Sequence, residues 1–239
     1  AFTGFGESVT IFEDFLNDFP NSQYADKVND YLVEVYLATK NYEAALKSIN
    51  KIKHPSTKIL EAKQDILFQL GTQAFANVKL DDAVSLFSQA IQLGSYNMEA
   101  RNDAYFWRGE SYYRMGEYEN AISDYRTYLN NTHQRNTDMY ALAYYNLGYS
   151  YFKLRDYSAA LNRFRQYVDL ESNQQAASLA DAYNRIGDCQ YQNRQFSLAE
   201  ENYSRAAQLS PSAGDYSIYQ KGFLLGLQKD YRGKISAMD

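Results

Sequence analysis

Apolar side chains recur along the chain at spacings of three, four and seven residues, which place them on one face of an α-helix. The pattern centres on a column of alanines spaced 38 or 39 residues apart: Ala45, Ala83, Ala121, Ala160 and Ala199. A large apolar residue lies three positions before each alanine, and another lies four positions after it. Because several columns share this period, the chain is predicted to be built from repeats.

A second apolar stripe precedes each alanine and is predicted to form a separate helix. In four of the five repeats a glycine lies twelve positions before the alanine: Gly71, Gly109, Gly148 and Gly187. A short break, such as residues 154–156, separates the two stripes. Each repeat is therefore predicted to hold two antiparallel helices, helix A and helix B, packed closely at the small residues. One pair cannot bury both stripes, so successive pairs should stack into a solenoid.

These columns resemble the tetratricopeptide repeat (TPR) family. A good match in helix A is formed by Tyr144, Leu147, Gly148 and Tyr151, and in helix B by Tyr157, Ala160, Phe164 and Tyr167. Departures from the family pattern occur at Ala74, Arg108, Gln190 and Lys234. The resemblance covers essentially the whole chain. It implies an all-α fold, a right-handed alpha-alpha superhelix that is a TPR-like solenoid of antiparallel helix pairs.

The columns predict a single TPR solenoid over residues 1–239, with five complete repeats and a partial repeat at each end. The complete repeats are predicted at 21–56, 57–95, 96–134, 135–173 and 174–212, and the partial repeats at 1–20 and 213–239. Because both ends fall within a repeat, we expect the chain to be a piece of a longer array.

The composition agrees with long helices and disfavours several other classes of protein. The chain has 24 tyrosines, 13 phenylalanines and only three prolines, and its net charge is −5. The acidic balance, without a block of lysine and arginine, argues against nucleic acid as a partner. No apolar stretch approaches the roughly 20 residues that a transmembrane helix needs, so no membrane-spanning segment is predicted.

No cofactor, metal site or catalytic site is predicted. Cys189 is the only cysteine, which excludes an internal disulfide and a four-thiolate zinc site. No local pattern of histidine and acid accompanies it, as a nucleophile would require. His54 and His133 fall in predicted turns without further metal ligands. Residues 3–6 lack the Gly-Lys of a phosphate-binding loop and are predicted to form a turn between helices.

The candidate binding residues follow from the family resemblance, which implies that ligands contact helix A on the concave side of the superhelix. By register these residues are Trp107, Glu110, Tyr113, Tyr145, Asn146, Tyr149, Asn184, Arg185, Asp188 and Tyr191. The tyrosines in the stripe columns are predicted to be core. The alternative for the remaining aromatic residues is that they only fill contacts between repeats.

The predicted function is a non-catalytic protein-protein interaction scaffold that binds a peptide segment or partner domain in its concave groove. The family's clamp for a C-terminal carboxylate is disfavoured, because Glu34, Glu110 and Asp188 occupy the corresponding row. One alternative is a bacterial cell-envelope assembly module, since the segment from Phe12 to Pro20 is similar to links in bacterial envelope TPR proteins. Another is capture of a carbohydrate or small molecule by an aromatic groove.

No targeting segment identifies a compartment. The envelope-like link and the low cysteine count favour a periplasmic or envelope-associated location over a cytoplasmic one. The identity of the protein or peptide partner cannot be predicted from these patterns.

Overall fold

Helices joined by short turns make up the computed structural model, which describes residues 3–38, 40–173, 177–209, 211–227 and 230–238. The chain divides into two units, unit 1 (Ala1–Gly116) and unit 2 (Glu117–Asp239). Over the described ranges no residue lies in a β-strand. The prediction of an all-α fold is therefore confirmed.

Unit 1 contains six helices within its described residues. They are α1 (Thr3–Asp18), α2 (Ala25–Ala38), α3 (Tyr42–Ile49), α4 (Thr57–Ala76), α5 (Leu80–Gln92) and α6 (Met98–Met115). Helix α4 packs against α5, and α5 packs in turn against α6. Helices α2, α4 and α6 occupy helix A positions of the predicted repeats.

Unit 2 contains seven helices in the part of the chain that the structure describes. They are α7 (Tyr118–Asn131), α8 (Asp138–Lys153), α9 (Tyr157–Leu170), α10 (Ala177–Gln192), α11 (Phe196–Leu209), α12 (Pro211–Leu227) and α13 (Tyr231–Met238). Neighbouring helices pack in chain order, and α10 also contacts α12. Helices α8, α10 and α12 occupy helix A positions. The residue boundaries between repeats stay a prediction.

Helix α1 corrects one expectation from the sequence. Residues 3–6 were predicted to form a turn, but α1 begins at Thr3 and includes them. Glycine costs only about 1 kcal/mol in a helix, and packing of the helix against its neighbours outweighs that cost. Leu16 is buried in the core of unit 1, with Phe12 and Phe15 packed beside it.

The alanine column forms the centre of the core, as the repeat pattern predicts. All five alanines are buried, and so are the five residues that lie four positions after them: Ile49, Phe87, Tyr125, Phe164 and Tyr203. Among the tyrosines predicted to be core, the fully buried ones are Tyr36, Tyr125, Tyr128, Tyr167 and Tyr203. The others are half-buried: Tyr42, Tyr112, Tyr118, Tyr151 and Tyr157.

Helices A and B touch where a glycine meets an aromatic ring. A Cβ atom added to Gly148 would lie only 2.9 Å from Cδ1 of Phe164, and one added to Gly187 only 2.7 Å from Cε1 of Tyr203. In unit 1, a Cβ atom on Gly71 would lie 2.5 Å from Cε1 of Phe87. Each ring therefore occupies the space that a larger side chain on helix A would need.

The turn from helix A to helix B contains a residue with a positive φ. In each of the five turns it lies five positions before the alanine, with φ between 52° and 82°. The five residues are Lys40, Val78, Gly116, Arg155 and Arg194. In the turn at Val78, the N–H of Lys79 donates to the carbonyl of Ala74 at 2.9 Å. This bond closes the helix in the manner of a Schellman cap. Only one of the five positions carries the glycine that such a backbone favours.

Adding a methyl group at the glycine contact should destabilise the fold. We expect Gly148→Ala to lower the free energy of unfolding by about 1–3 kcal/mol, the usual cost of overpacking a core. Gly226→Ala is the matched control, because its added Cβ would first meet the flexible Lys234 side chain, at 3.4 Å. Urea unfolding measures both variants. An equal loss at the two sites would show that the ring contact does not limit helix approach.

Relieving the positive φ at Val78 should stabilise the fold. The side chain is 69% exposed, so Val78→Gly loses little packing while it removes the steric cost of a β-branched residue in this conformation. We expect a gain of about 0.5–1 kcal/mol in urea unfolding, after the entropic cost of glycine is subtracted. At the preceding residue, Asn77, φ is −86°, so Asn77→Gly should destabilise. A loss of stability in Val78→Gly would contradict this account.

Candidate functional site

In unit 2, two tyrosines of α8 share one carboxylate of α10. The hydroxyl of Tyr145 donates to Oδ2 of Asp181 at 2.8 Å, and the hydroxyl of Tyr149 donates to the same oxygen. The two rings meet edge-on with their centroids 5.0 Å apart. Burial, reinforced by the charge of Asp181, raises the pKa of both hydroxyls. Both tyrosines are therefore protonated donors at neutral pH.

Arg185 lies one helical turn further along α10 and is held by two carboxylates. Its Nη1 lies 2.8 Å from Oδ2 of Asp188, and its Nε lies 3.7 Å from Oδ1 of Asp181. The guanidinium also lies over the rings of Phe152 and Tyr216, 5.7 Å and 5.1 Å from their centroids. Its positive charge is thus engaged within the unit.

Asp188 connects this group to the next two helices. Its Oδ1 accepts hydrogen bonds from the hydroxyls of Tyr203 on α11 and Tyr216 on α12, at 2.7 and 2.8 Å. On the same side of α10, Oδ1 of Asn184 accepts from the hydroxyl of Ser217 at 2.8 Å. These bonds fix α12 against α10. Together, Tyr145, Tyr149, Asp181, Arg185, Asp188, Tyr203 and Tyr216 form what we call the tyrosine–aspartate network.

An apolar stripe continues from this network along α12. Tyr219, Phe223 and Leu227 lie four residues apart on one face of the helix and are 61%, 43% and 54% exposed. The ring of Phe223 lies 6.2 Å from that of Tyr191 on α10. An exposed apolar stripe beside polar groups is typical of a recognition surface.

In unit 1, helices α4 and α6 carry an aromatic group beside an ion pair. The ring of Trp107 meets that of Phe75 edge-on at 5.2 Å. The guanidinium of Arg114 lies 4.1 Å from the centroid of Phe75, and its Nε lies 3.3 Å from Oε1 of Glu110. Trp107 and Glu110 therefore belong to one packed group.

The amino-terminal halves of the same two helices carry carboxylates. Burial raises the pKa of Asp103 to about 6, with a further contribution from the charge of Glu99. Burial also raises the pKa of Asp65, to which the charges of Glu61 and Glu99 contribute. The side-chain amide of Asn97 donates to Oδ1 of Asp65 at 3.4 Å. In this part of unit 1 the ionised carboxylates repel one another.

Comparison with protein families identifies the repeat. A model of the tetratricopeptide repeat matches residues 68–137 and 145–214, which together make up more than half of the chain. The chain belongs to the tetratricopeptide repeat family. The TPR is a non-catalytic interaction module through which proteins bind protein or peptide partners.

Solved structures of low sequence identity share the TPR fold. BtubC from P. vanneervenii has a TM-score of 0.62 and 16% identity, over 87% of this chain and 88% of that chain. YrrB, a TPR protein with an unusual peptide-binding site, has a TM-score of 0.63 and 17% identity, over 83% and 89%. PilF of Pseudomonas aeruginosa has a TM-score of 0.52 and 18% identity, over 89% of each chain. These similarities confirm the predicted TPR-like solenoid and show the fold alone.

Comparison with curated proteins gave no match. Within the described ranges, none of the helices of this TPR chain combines the length and apolar character that crossing a bilayer requires.

The structure places the ten predicted binding residues in different environments. Trp107, Glu110 and Tyr113 lie on α6 in unit 1, and the other seven lie on α8 and α10 in unit 2. The tyrosine–aspartate network brings together four of them: Tyr145, Tyr149, Arg185 and Asp188. Asn146, which follows Tyr145 in the chain, is half-buried. Tyr191 contacts Phe196 at 5.7 Å as well as Phe223. Their role in partner binding stays a prediction.

Two of the predicted residues, Asn184 and Asp188, are largely covered by another helix of unit 2. They are only 3% and 9% exposed. The reason is that α12 packs over α10, where Ser217 and Tyr216 hydrogen-bond to these two side chains. Helix register alone could not reveal a partner that lies about 30 residues further along the chain.

The sequence reasoning missed Asp181 and the apolar stripe of α12. A periodic signal for the aspartate was present, because Asp65, Asp103 and Asp181 all lie eighteen positions before their alanines. The stripe could have been found from the spacing of Tyr219, Phe223 and Leu227. Neither signal belongs to the columns that define the TPR, so the family pattern does not reveal them.

The cysteine and the two histidines offer little reactivity. Cys189 is fully buried, and burial, followed by the charge of Asp188, raises the pKa of its thiol to about 12. The thiolate is therefore scarce at neutral pH. His54 and His133 are exposed, and the described residues contain no group of three potential ligands that could hold a metal ion.

The raised pKa of Asp103 predicts that stability depends on pH. Because the folded protein binds this proton more tightly than the unfolded chain, ionisation costs stability as the pH rises from about 4 to 6. We expect Asp103→Asn to be more stable than the parent at pH 7, by about 1 kcal/mol once the partial exposure of the side chain is allowed for. The difference should vanish near pH 4.

Thermal unfolding across this range measures the effect. The control Asp81→Asn removes an exposed carboxylate from the first turn of α5, where a negative charge favours the helix dipole. It should therefore be slightly less stable than the parent at pH 7. A pH-independent difference between Asp103→Asn and the parent would contradict the assignment.

Proposed function

We propose that this chain is a non-catalytic scaffold that binds a peptide segment or a partner domain along the helix A faces of its units. The observation that carries the proposal is the exposed stripe of α12, with Tyr219 61% exposed, beside the tyrosine–aspartate network. Rigid aromatic side chains bury a large area on binding while losing little conformational freedom. Family membership supports the general role, and this surface supports a binding site in unit 2.

The shape of the surface favours a polypeptide over a small molecule. Phe223 and Tyr191 come from two different helices and continue the row that begins with the network. A peptide can place alternate side chains along such a row, whereas a small ligand needs a cavity that encloses most of its surface. In unit 2, a cavity of about 630 Å³ lies between α10 and α11, away from this row.

The carbohydrate alternative receives less support, because rings of the predicted binding residues are engaged with other aromatic rings. Tyr149 packs edge-on against Phe164 at 5.2 Å, and Trp107 against Phe75 at the same separation. The cavity in unit 2 contains Tyr183, but the guanidinium of Arg205 lies over its ring at 5.7 Å. Stacking on a sugar needs an uncovered ring face.

The cell-envelope alternative rests on the segment from Phe12 to Pro20. Here the ring of Phe12 packs against Tyr31 at 5.2 Å, and Phe15 lies 5.7 Å from Phe19. These contacts give the three phenylalanines a packing role within unit 1. The segment therefore adds no support for a periplasmic location, which stays a prediction.

Peptides selected by phage display against the whole chain test the scaffold function. We expect Tyr219→Ser to weaken the selected peptides by more than fivefold, equivalent to a loss of about 1 kcal/mol. The midpoint of urea unfolding should hardly change, because the side chain is mostly exposed. Isothermal titration calorimetry measures the affinities.

Tyr24→Ser is the matched control, since Tyr24 is a comparably exposed tyrosine, at 58%, that precedes α2 in unit 1. Equal affinity losses in the two variants would place binding elsewhere. Failure to select any peptide would refute the proposal.

A further inference from the structure

The tyrosine hydroxyls of the tyrosine–aspartate network can only accept further hydrogen bonds, because their hydrogens are used internally. A tyrosine hydroxyl has one hydrogen to donate, and a carboxylate can only accept. Tyr145 and Tyr149 donate to Asp181, while Tyr203 and Tyr216 donate to Asp188. All four hydroxyl hydrogens therefore point at carboxylates within unit 2. What these hydroxyls can still offer is the lone pairs of their oxygens.

The one cation of the network is also engaged. Arg185 pairs with Asp188 at 2.8 Å, and its side chain is only 19% exposed. The rings of Phe152 and Tyr216 lie beside its guanidinium. A carboxylate or phosphate of a partner would have to displace Asp188 to reach it, and that would leave a buried carboxylate without its counter-charge. The network is therefore poorly suited to an anionic partner.

Asp181 differs from Asp188 in its access to solvent. Its side chain is 34% exposed, compared with 12% for Asp188. Both tyrosine hydroxyls bond to Oδ2, so Oδ1 faces the Nε of Arg185 at 3.7 Å, which is too long for a hydrogen bond. Oδ1 is thus an acceptor that the two tyrosines do not use, on a side chain that solvent partly reaches. With two carboxylates and one guanidinium, the network carries one net negative charge.

We propose that Asp181, held in place by the hydroxyls of Tyr145 and Tyr149, binds a lysine or arginine side chain of the partner segment. A cationic group would donate to Oδ1, and the net negative charge of the network would attract it. This inference rests on the scaffold function proposed above and names the class of partner. The apolar stripe on α12 adds a requirement for apolar side chains in the same segment.

The test uses defined peptides and the whole chain. The probe is a short fluorescein-labelled peptide of alternating leucine and lysine, and its counterparts carry glutamine or glutamate in place of lysine. By fluorescence polarisation, we expect the lysine peptide to bind about tenfold more tightly than the glutamine peptide and the glutamate peptide to bind least. The preference for lysine should shrink as salt is added.

Two variants identify Asp181 as the source of this preference. Asp181→Asn keeps the size of the side chain and an acceptor for the hydroxyls, and it should remove most of the preference for lysine over glutamine. Asp169→Asn changes the net charge equally at an exposed position on α9 and should leave the preference intact. Equal behaviour of the two variants would overturn the proposal.

Tyr149→Phe separates recognition from support of the fold. The variant keeps the ring but removes one of the two donors to Asp181, so the carboxylate becomes a better acceptor for lysine. We expect unchanged or tighter binding of the lysine peptide together with a lower unfolding midpoint. Weaker binding in proportion to the loss of stability would show that the network is only structural.

The outcomes also distinguish this inference from the scaffold function. If the lysine and glutamine peptides bind equally, or neither binds, the basic specificity is refuted. The peptides selected by display then decide the scaffold function separately, through their dependence on Tyr219.

Discussion

The contact between a glycine of helix A and an aromatic ring of helix B is the constraint on which the rest of the structure depends. In unit 2, the ring of Phe164 rests on Gly148. The same ring packs edge-on against Tyr149 at 5.2 Å and lies 6.0 Å from Tyr145. The core contact therefore also supports the two tyrosines whose hydroxyls meet at Asp181. A larger residue at the glycine would move the ring and, with it, the candidate recognition site.

In the next repeat, the ring at the same position also carries a hydrogen-bonding group. Tyr203 rests on Gly187 as Phe164 rests on Gly148, but its hydroxyl continues past the glycine and donates to Asp188. One hydroxyl group thus changes an apolar column into part of a hydrogen-bond network without changing the packing of the ring. In unit 1, Phe87 rests on Gly71 and also contacts Phe68, 6.0 Å away, so the same contact supports an apolar face there.

Much of the fold could be predicted because TPR packing is local and repeated. The buried alanines, the rings after them and the glycines before them all follow from spacing along single helices. The positions of the turns follow from the breaks between stripes, but their left-handed backbone could not be predicted, since Val78, Arg155 and Arg194 are not residue types that favour a positive φ. The environment of Asn184 and Asp188 could not be predicted either. Their burial depends on α12, whose contact with α10 no single-helix pattern encodes.

The candidate site is less predictable than the fold for a related reason. Whether a polar residue on helix A offers a donor or an acceptor depends on which groups of the neighbouring repeat have already bonded to it. The hydroxyl of Tyr145 can only accept from a partner, because it already donates its hydrogen bond to Asp181, 36 residues later. Replacing such a carboxylate with a donor would reverse the polarity of the surface while leaving the glycine and ring columns untouched. Packing and recognition therefore occupy separate positions on helix A, and a TPR can change its partner without changing its fold.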